Sequence, residues 1–208
     1  MKVYPLVLGS VQTNCYIISN QNKVIIIDPA ENPEKVIHYL NEKKLEVEGI
    51  FITHGHFDHI GAVNELATIF NVPVYAHKKE KEYFEKPEIN LSTMIYKNLV
   101  LRAELNFHFL EDGEIFECLG TKVKALHVPG HTLGSLCYSF ESEKIIFTGD
   151  TLFAHSIGRT DFIYGDQTQL VTAIKKNILT LPEDTLVYPG HGECTTVKDE
   201  AEQNPFLK

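Results

Sequence analysis

Residues 53–59 read "THGHFDH", from Thr53 to His59, and set three imidazoles and a carboxylate within seven positions. The stretch follows a short apolar run, "GIFITH" (Gly49 to His54), which predicts a buried strand. It precedes "IGAVNELATIF" (60–70), whose Val63, Leu66, Ala67 and Phe70 predict one face of a helix. Loops at strand ends are where a rigid scaffold displays reactive groups. His54 and His56 are two apart, so an extended backbone points both rings to one side, where they can grip one ion. Asp58 and His59 fall at the turn into the helix, face elsewhere, and can grip a second. Imidazole with carboxylate suits zinc, iron or manganese, and the lack of cysteine in the motif argues against a structural zinc site.

Four groups cannot complete two metal shells. Three further stretches with similar punctuation supply the rest. "HVPGHT" places His131 after a strand and a Pro-Gly turn, and "VYPGHG" does the same for His191. "FTGDT" ends an apolar strand at Asp150, whose two oxygens can bridge two cations. One ion is then assigned to His54, His56, His131 and Asp150, and the other to Asp58, His59, His191 and Asp150, with a bridging hydroxide between them. Two divalent cations against two carboxylates and a hydroxide leave one net positive charge, which favours an anionic transition state. Cations about 3.5–4 Å apart lower the pKa of the shared water and polarise a carbonyl, so hydrolysis is the expected chemistry. His38, His77, His108, His127 and His155 are read as ordinary structural or solvated histidines.

Strand and helix patterns alternate along the chain. "NCYIIS" (14–19) and "KVIIIDP" (23–29) predict a hairpin across "NQN". A helix follows over "NPEKVIHYLNEKK", with Asn32 as N-cap and Pro33 at its first position. Further strands are expected at "PVYAH", "KVKALHV", "LCYSF", "KIIFTG" and "TLVYPG", and a helix from Gln167 to Asn177. Residues 78–105 read as mixed helix and loop. "NCYIISNQNKVIIIDP" (14–29) is echoed by "LCYSFESEKIIFTGD" (136–150): a Cys-Tyr strand, a polar turn, a lysine, then an apolar strand ending near an aspartate. The echo predicts two related β-rich halves with outer helices.

The 208 residues suit one domain, taken as 1–208, and 43% hydrophobic against 23% charged residues allows a sizeable core. No stretch approaches the roughly 18 apolar residues of a membrane span, and the start "MKVYPLVLGS" lacks the long apolar region of a signal peptide. A cytoplasmic protein is expected. The net charge of -9 argues against nucleic acid as a partner. Cys15, Cys118, Cys137 and Cys194 form no CxxC and read as reduced thiols, with Cys194 nearest the candidate site.

"THGHFDH", "PGHT", "TGDT" and "PGHG" resemble, in order and spacing, the metal motifs of the metallo-β-lactamase-fold hydrolases. The resemblance implies an α+β fold, a four-layer αββα sandwich of two mixed β-sheets with outer helices and the metals at one edge. "SIGRTDF" (156–162) and the closing "NPFLK" resemble the glyoxalase II-like thioesterases, or hydroxyacylglutathione hydrolases. The chain ends 17 residues after His191, so the subgroup's C-terminal helical domain is not expected. True β-lactamases of the family usually lack the last histidine of HxHxDH, so His59 argues against antibiotic hydrolysis.

The resemblance makes thioester hydrolysis the leading expectation, with two divalent ions per chain, zinc before iron or manganese. Asp58 is the candidate to orient the attacking water and take its proton. Arg159 is the candidate for a substrate carboxylate, through its planar fork, and Tyr164 for the pocket wall. The expected partner is a small-molecule thioester, and a homo-oligomer is compatible with the sequence. The alternative is a persulfide dioxygenase with one iron on His131, Asp150 and either His54 or His56.

Overall fold

The hairpin residues Cys15, Ile17, Val24 and Ile26 are buried in one apolar cluster, and the alternate residues Tyr16, Ile18, Ile25 and Ile27 in another. A strand pair buried on both faces needs a cover on each side, and period-2 alternation decides which side chain goes to which cover. The computed structural model describes residues 1–95 and 97–208. Its first sheet runs, in spatial order, β1 (Lys2–Leu8), β2 (Thr13–Asn20), β3 (Lys23–Ile27), β4 (Glu46–Phe51), β5 (Val74–His77) and β6 (Phe107–Leu110). Here β1–β2 and β2–β3 pair antiparallel, and the remaining pairs are parallel.

The second sheet contains β7 (Ile115–Cys118), β8 (Thr121–His127), β9 (Leu136–Phe140), β10 (Ile145–Gly149), β13 (Leu186–Pro189) and β14 (Thr195–Thr196), in that order from one edge to the other. It is also mixed, with β10 and β13 parallel. Leu152–Phe153 (β11) and Ser156–Ile157 (β12) form a separate small pair. Leu136, Tyr138, Phe140 and Phe147 meet Tyr16, Ile18 and Ile25 between the sheets. On the outer side of the first sheet, Val36 and Leu40 of α1 (Pro33–Lys43) and Val63 and Leu66 of α3 (Val63–Phe70) close one core. On the outer side of the second, Leu170 and Ile174 of α5 (Gln167–Asn177) and Val197 of α6 (Val197–Gln203) close another over Cys137 and Ile146. Three apolar layers therefore separate four structural ones, and the architecture is the expected αββα sandwich.

The echo between the two halves has a structural counterpart. The β2–β3 and β9–β10 hairpins are both antiparallel, and each continues through a helical crossover to a parallel strand, β3–α1–β4 and β10–α5–β13. The mixed reading of 78–105 holds for its described residues: one short helix, α4 (Lys81–Glu85), two 3₁₀ turns and irregular chain. Tyr96 lies outside the described residues.

Several local expectations change. The segment "GIFITH" contributes only its first half to β4, which starts earlier, at Glu46, and leaves His54 in the following loop. The helix expected over 60–70 is two pieces, α2 (Phe57–Ile60) and α3. Asn32 sits at the start of α1 in a left-handed conformation and makes no cap bond to the helix; its Oδ1 accepts from Gly9 N instead. Strand β1 was not read from sequence because Pro5 interrupts it. Pro5 is tolerated because β1 is an edge strand, where a missing N–H costs no ladder bond on the open side. Strands β6, β7, β11, β12 and β14 and helix α6 were also not read. Among the described residues, no helix is long and apolar enough to cross a membrane.

Candidate metal centre

All seven sequence-predicted ligands converge at the ends of strands. His54 and His56 follow β4, and Asp58 and His59 lie on α2 directly after. His131 follows β8, Asp150 follows β10, and His191 follows β13. His56 is extended (φ -69°, ψ 148°), as the expected same-side pairing with His54 requires. His131 Nε2 lies 3.3 Å from His54 Nε2 and 3.0 Å from His56 Nδ1, so three imidazole nitrogens face one point. In the second group, Asp58 Oδ2 lies 3.3 Å from His59 Nε2 and 3.2 Å from His191 Nε2. Asp150 spans both groups: Oδ1 is 3.3 Å from His59 Nε2, and Oδ2 is 3.8 Å from His131 Nε2.

The far side of each ring shows which nitrogen is free. His59 Nδ1 lies 2.9 Å from Asp28 Oδ2 and donates to it, which leaves Nε2 as the nitrogen turned into the cluster. His131 Nδ1 donates to the Arg159 carbonyl at 2.7 Å. Thr53 Oγ1 donates to Asp28 Oδ2 and can accept from His54 Nδ1, 3.1 Å away. In these three rings the nitrogen not engaged behind is the one that converges, the arrangement a metal-binding histidine requires. His59 Nε2 and Asp150 Oδ1 are buried without a hydrogen-bond partner despite their proximity. They are aimed at a common point rather than at each other. Buried polar atoms left unpaired are costly unless something else satisfies them, and a cation does.

The electrostatics divide the cluster. Burial, reinforced by neighbouring imidazoles, pushes His54 well below the usual histidine range and His56 down to about 3; burial also lowers His131. These three are neutral and ready to donate lone pairs. Burial also acts to lower His59, but Asp58, Asp150 and Asp28 outweigh it and raise the ring well above the usual value. His191 is raised the same way, burial being outweighed by Asp58 and Asp150. Burial opposes ionisation of Asp58 and Asp150, yet His59 and its neighbours hold both below the ordinary carboxylate range. Three carboxylates surround His59, a field that calls for positive charge. Gly190 permits the approach of the halves, because a Cβ there would collide with Asp150 Oδ1 and fall 2.7 Å from His59 Cε1.

The two substrate candidates fare differently from the ligands. Both fork nitrogens of Arg159 are taken by Asp161, at 2.7 Å each, and the guanidinium stacks 3.9 Å from the Phe162 ring centre. This pair sits at the surface and leaves the Nη1 edge of the guanidinium outside it, while the Arg159 carbonyl meets His131 Nδ1. Tyr164 packs against Tyr83, ring centres 6.4 Å apart, and Tyr83 in turn lies 5.7 Å from His56. Tyr164 is therefore one ring removed from the cluster. Of the histidines read as ordinary, His77 and His127 stack on each other at 4.2 Å behind the His131 loop, where His127 Nε2 meets the Leu133 carbonyl.

Sequence reasoning missed Asp28, Thr13 and Thr53. Asp28 accepts from Thr53 N and Oγ1 as well as facing His59, and Thr13 Oγ1 donates to Asp58 Oδ2 at 2.8 Å. The signal for Asp28 was the echo itself: it directly follows β3 as Asp150 directly follows β10. Its backbone is left-handed (φ 48°), a conformation more open to aspartate than to most residues.

Comparison with known proteins agrees with this geometry. The chain is 39% identical to the probable metallo-hydrolase YqgX of Bacillus subtilis over 100% of its own length and 98% of the relative's. It is 34% identical to the hydroxyacylglutathione hydrolase GloC of Haemophilus influenzae, with the same coverage. Among solved structures, the BLEG-1 B3 metallo-beta-lactamase superposes with a TM-score of 0.94 at 38% identity, covering 100% of both chains. TTHA1623, solved in a di-iron-bound form, superposes at 0.87 with 35% identity over 99% of this chain and 100% of its own. A neighbour described as a β-lactamase means that the separation from antibiotic hydrolases drawn from His59 gains no support here. Residues 8–191 match the sequence profile of the metallo-beta-lactamase superfamily, and the chain belongs to that superfamily.

Proposed function

We propose that the protein is a binuclear metallohydrolase of glyoxalase II type, cleaving a thioester such as an S-acylglutathione into an acid and a thiol. The observation that carries the binuclear reading is Asp150, whose two oxygens reach a three-histidine group on one side and the Asp58–His59–His191 group on the other. Two divalent cations, when bound, lower the pKa of a shared water and polarise an acyl carbonyl. Asp58, held by Thr13 and lying between His59 and His191, orients the attacking water and accepts its proton. A thiolate leaves without protonation, which suits a cluster whose acids and imidazoles are directed at a common point rather than at a leaving group. The full-length likeness to a hydroxyacylglutathione hydrolase supports the thioester class. Four free thiols suit a reducing, cytoplasmic setting. Zinc is the expected metal, and the di-iron neighbour makes iron the first alternative to assay.

A persulfide dioxygenase with one iron on His131, Asp150 and His54 or His56 ranks second, because it leaves Asp58, His59 and His191 assembled without a task. Metal stoichiometry of the purified protein is measured together with three assays: anaerobic cleavage of an S-acylglutathione, oxygen uptake with glutathione persulfide, and hydrolysis of a cephalosporin. Two equivalents of metal and oxygen-independent thioester cleavage are expected. One iron with oxygen-dependent turnover, or β-lactam cleavage without thioesterase activity, would overturn the proposal.

A further inference from the structure

Glu80 is a fully buried carboxyl group that none of the steps above uses. It closes the 3₁₀ turn Lys78–Glu80, just before α4, and reaches toward two loops that carry predicted ligands. Oε2 accepts from Gly55 N at 2.6 Å, and Gly55 is the residue between His54 and His56. Oε1 accepts from Thr132 Oγ1 at 2.8 Å and from Gly134 N at 2.6 Å, immediately beyond His131. Two of these three donors are backbone N–H groups, which cannot reverse their role. The fit depends on a missing side chain. A Cβ at Gly55 would collide with Tyr83 and stand 3.0 Å from Glu80 Oε2. The non-ligand letters of two motifs, the glycine of "HGH" and the threonine of "PGHT", thus meet on one carboxylate.

We propose that Glu80 is a positioning residue for the three-histidine half of the centre: it ties the His54–Gly55–His56 turn to the His131–Thr132 turn and so sets the spacing of the three imidazoles. The inference rests on the metal-centre reading above, but not on its thioesterase part. The tie acts through backbone on one side and through a residue adjacent to the ligand on the other. A small shift of either turn changes the separation of His131 from His54 and His56, which is 3.0–3.3 Å between nitrogens. Two backbone N–H groups and a hydroxyl converge on this one carboxyl group, and in a buried setting these bonds are not shared with water.

The test is Glu80→Gln. The amide keeps the size but puts an NH₂ opposite a backbone N–H, so one loop loses its acceptor. Cobalt(II) is titrated into the metal-free wild type and variant in competition with a chelator, and the visible absorption of the cobalt protein is recorded. Expected is a 10–100-fold weaker affinity at one site, the range typical for losing a group hydrogen-bonded behind a metal ligand, and an altered cobalt spectrum. Glu200→Gln is the comparison. Glu200 is an equally buried acid that accepts from His155 N, Thr195 Oγ1 and Asn204 Nδ2 but touches neither histidine turn. That variant is expected to lower the melting temperature and leave the cobalt spectrum unchanged. If Glu80→Gln does not fold, Thr132→Val, which removes one donor and keeps the carboxylate, is read in the same way. An unchanged cobalt affinity and spectrum in the Glu80 or Thr132 variant, or the same spectral change in Glu200→Gln, would overturn the proposal. A wild type that takes up no cobalt would remove the metal centre and this inference with it.

Discussion

Gly190 and Asp150 are in contact across the second sheet, and the absence of a side chain at Gly190 lets Asp150 Oδ1 reach the cluster. Gly190→Ala would drive a methyl group into Oδ1 and against His59 Cε1, 2.7 Å away. The expected outcome is a folded protein that keeps the three-histidine site and loses the second ion. Metal stoichiometry should fall from two toward one, with activity down at least about 10-fold. Two tightly held ions in the variant would show that the loop can shift without consequence.

Asp28 holds His59 Nδ1, Thr53 N and Thr53 Oγ1 at once. An amide in its place cannot accept from all three, and its NH₂ would oppose a donor. Asp28→Asn is expected to release the His59 ring and weaken the Asp58–His59–His191 site about 10–100-fold. Isothermal titration of the metal-free variant with zinc checks this, since the first site should bind as in the wild type.

Burial pushes Glu80 up from the usual carboxyl range to about 7, and the donors on Thr132, Gly55 and Gly134 only partly offset it. The folded form therefore keeps its proton to a higher pH than the unfolded chain. Stability from this group is complete below the unfolded value of 4.5 and is lost as pH rises through about 7. The full swing is on the order of 3 kcal/mol. Urea unfolding of the metal-free protein from pH 5 to pH 8 measures it as the difference between wild type and Glu80→Gln. The wild type should lose stability relative to the variant as pH rises, and a constant difference would refute the assignment. His77, pushed down to about 4 by burial and by His127, stays neutral across that range and does not confuse the comparison.

The metal-motif residues were legible in the sequence because each follows a short apolar strand with turn residues, so type, order and punctuation all pointed the same way. The echo of 14–29 in 136–150 made two β-rich halves with outer helices legible, whereas the four-layer order came from the family resemblance; its physical expression is that residues 14–18 and 24–27 are buried on both faces. What escaped was of two kinds. Strands such as β1 and β7 are edge strands with half their side chains in water, so their apolar pattern is weak and Pro5 disguises it further. Asp28, Thr13 and Glu80 act through partners 25–54 residues away in the chain, and no local pattern records a hydrogen bond across that distance. Arg159 shows the converse: its pairing with Asp161, two residues on, is a local contact of opposite charges that the sequence itself offers.

The cluster draws from both sheets. His54, His56, Asp58 and His59 come from the half built on β1–β6, and His131, Asp150 and His191 from the half built on β7–β14. Neither half alone carries enough donors to close a coordination sphere around two cations. An ion seated here is thus a rivet through the seam between the halves, and stripping it with a chelator should loosen that seam at its rim while the apolar filling farther in stays shut.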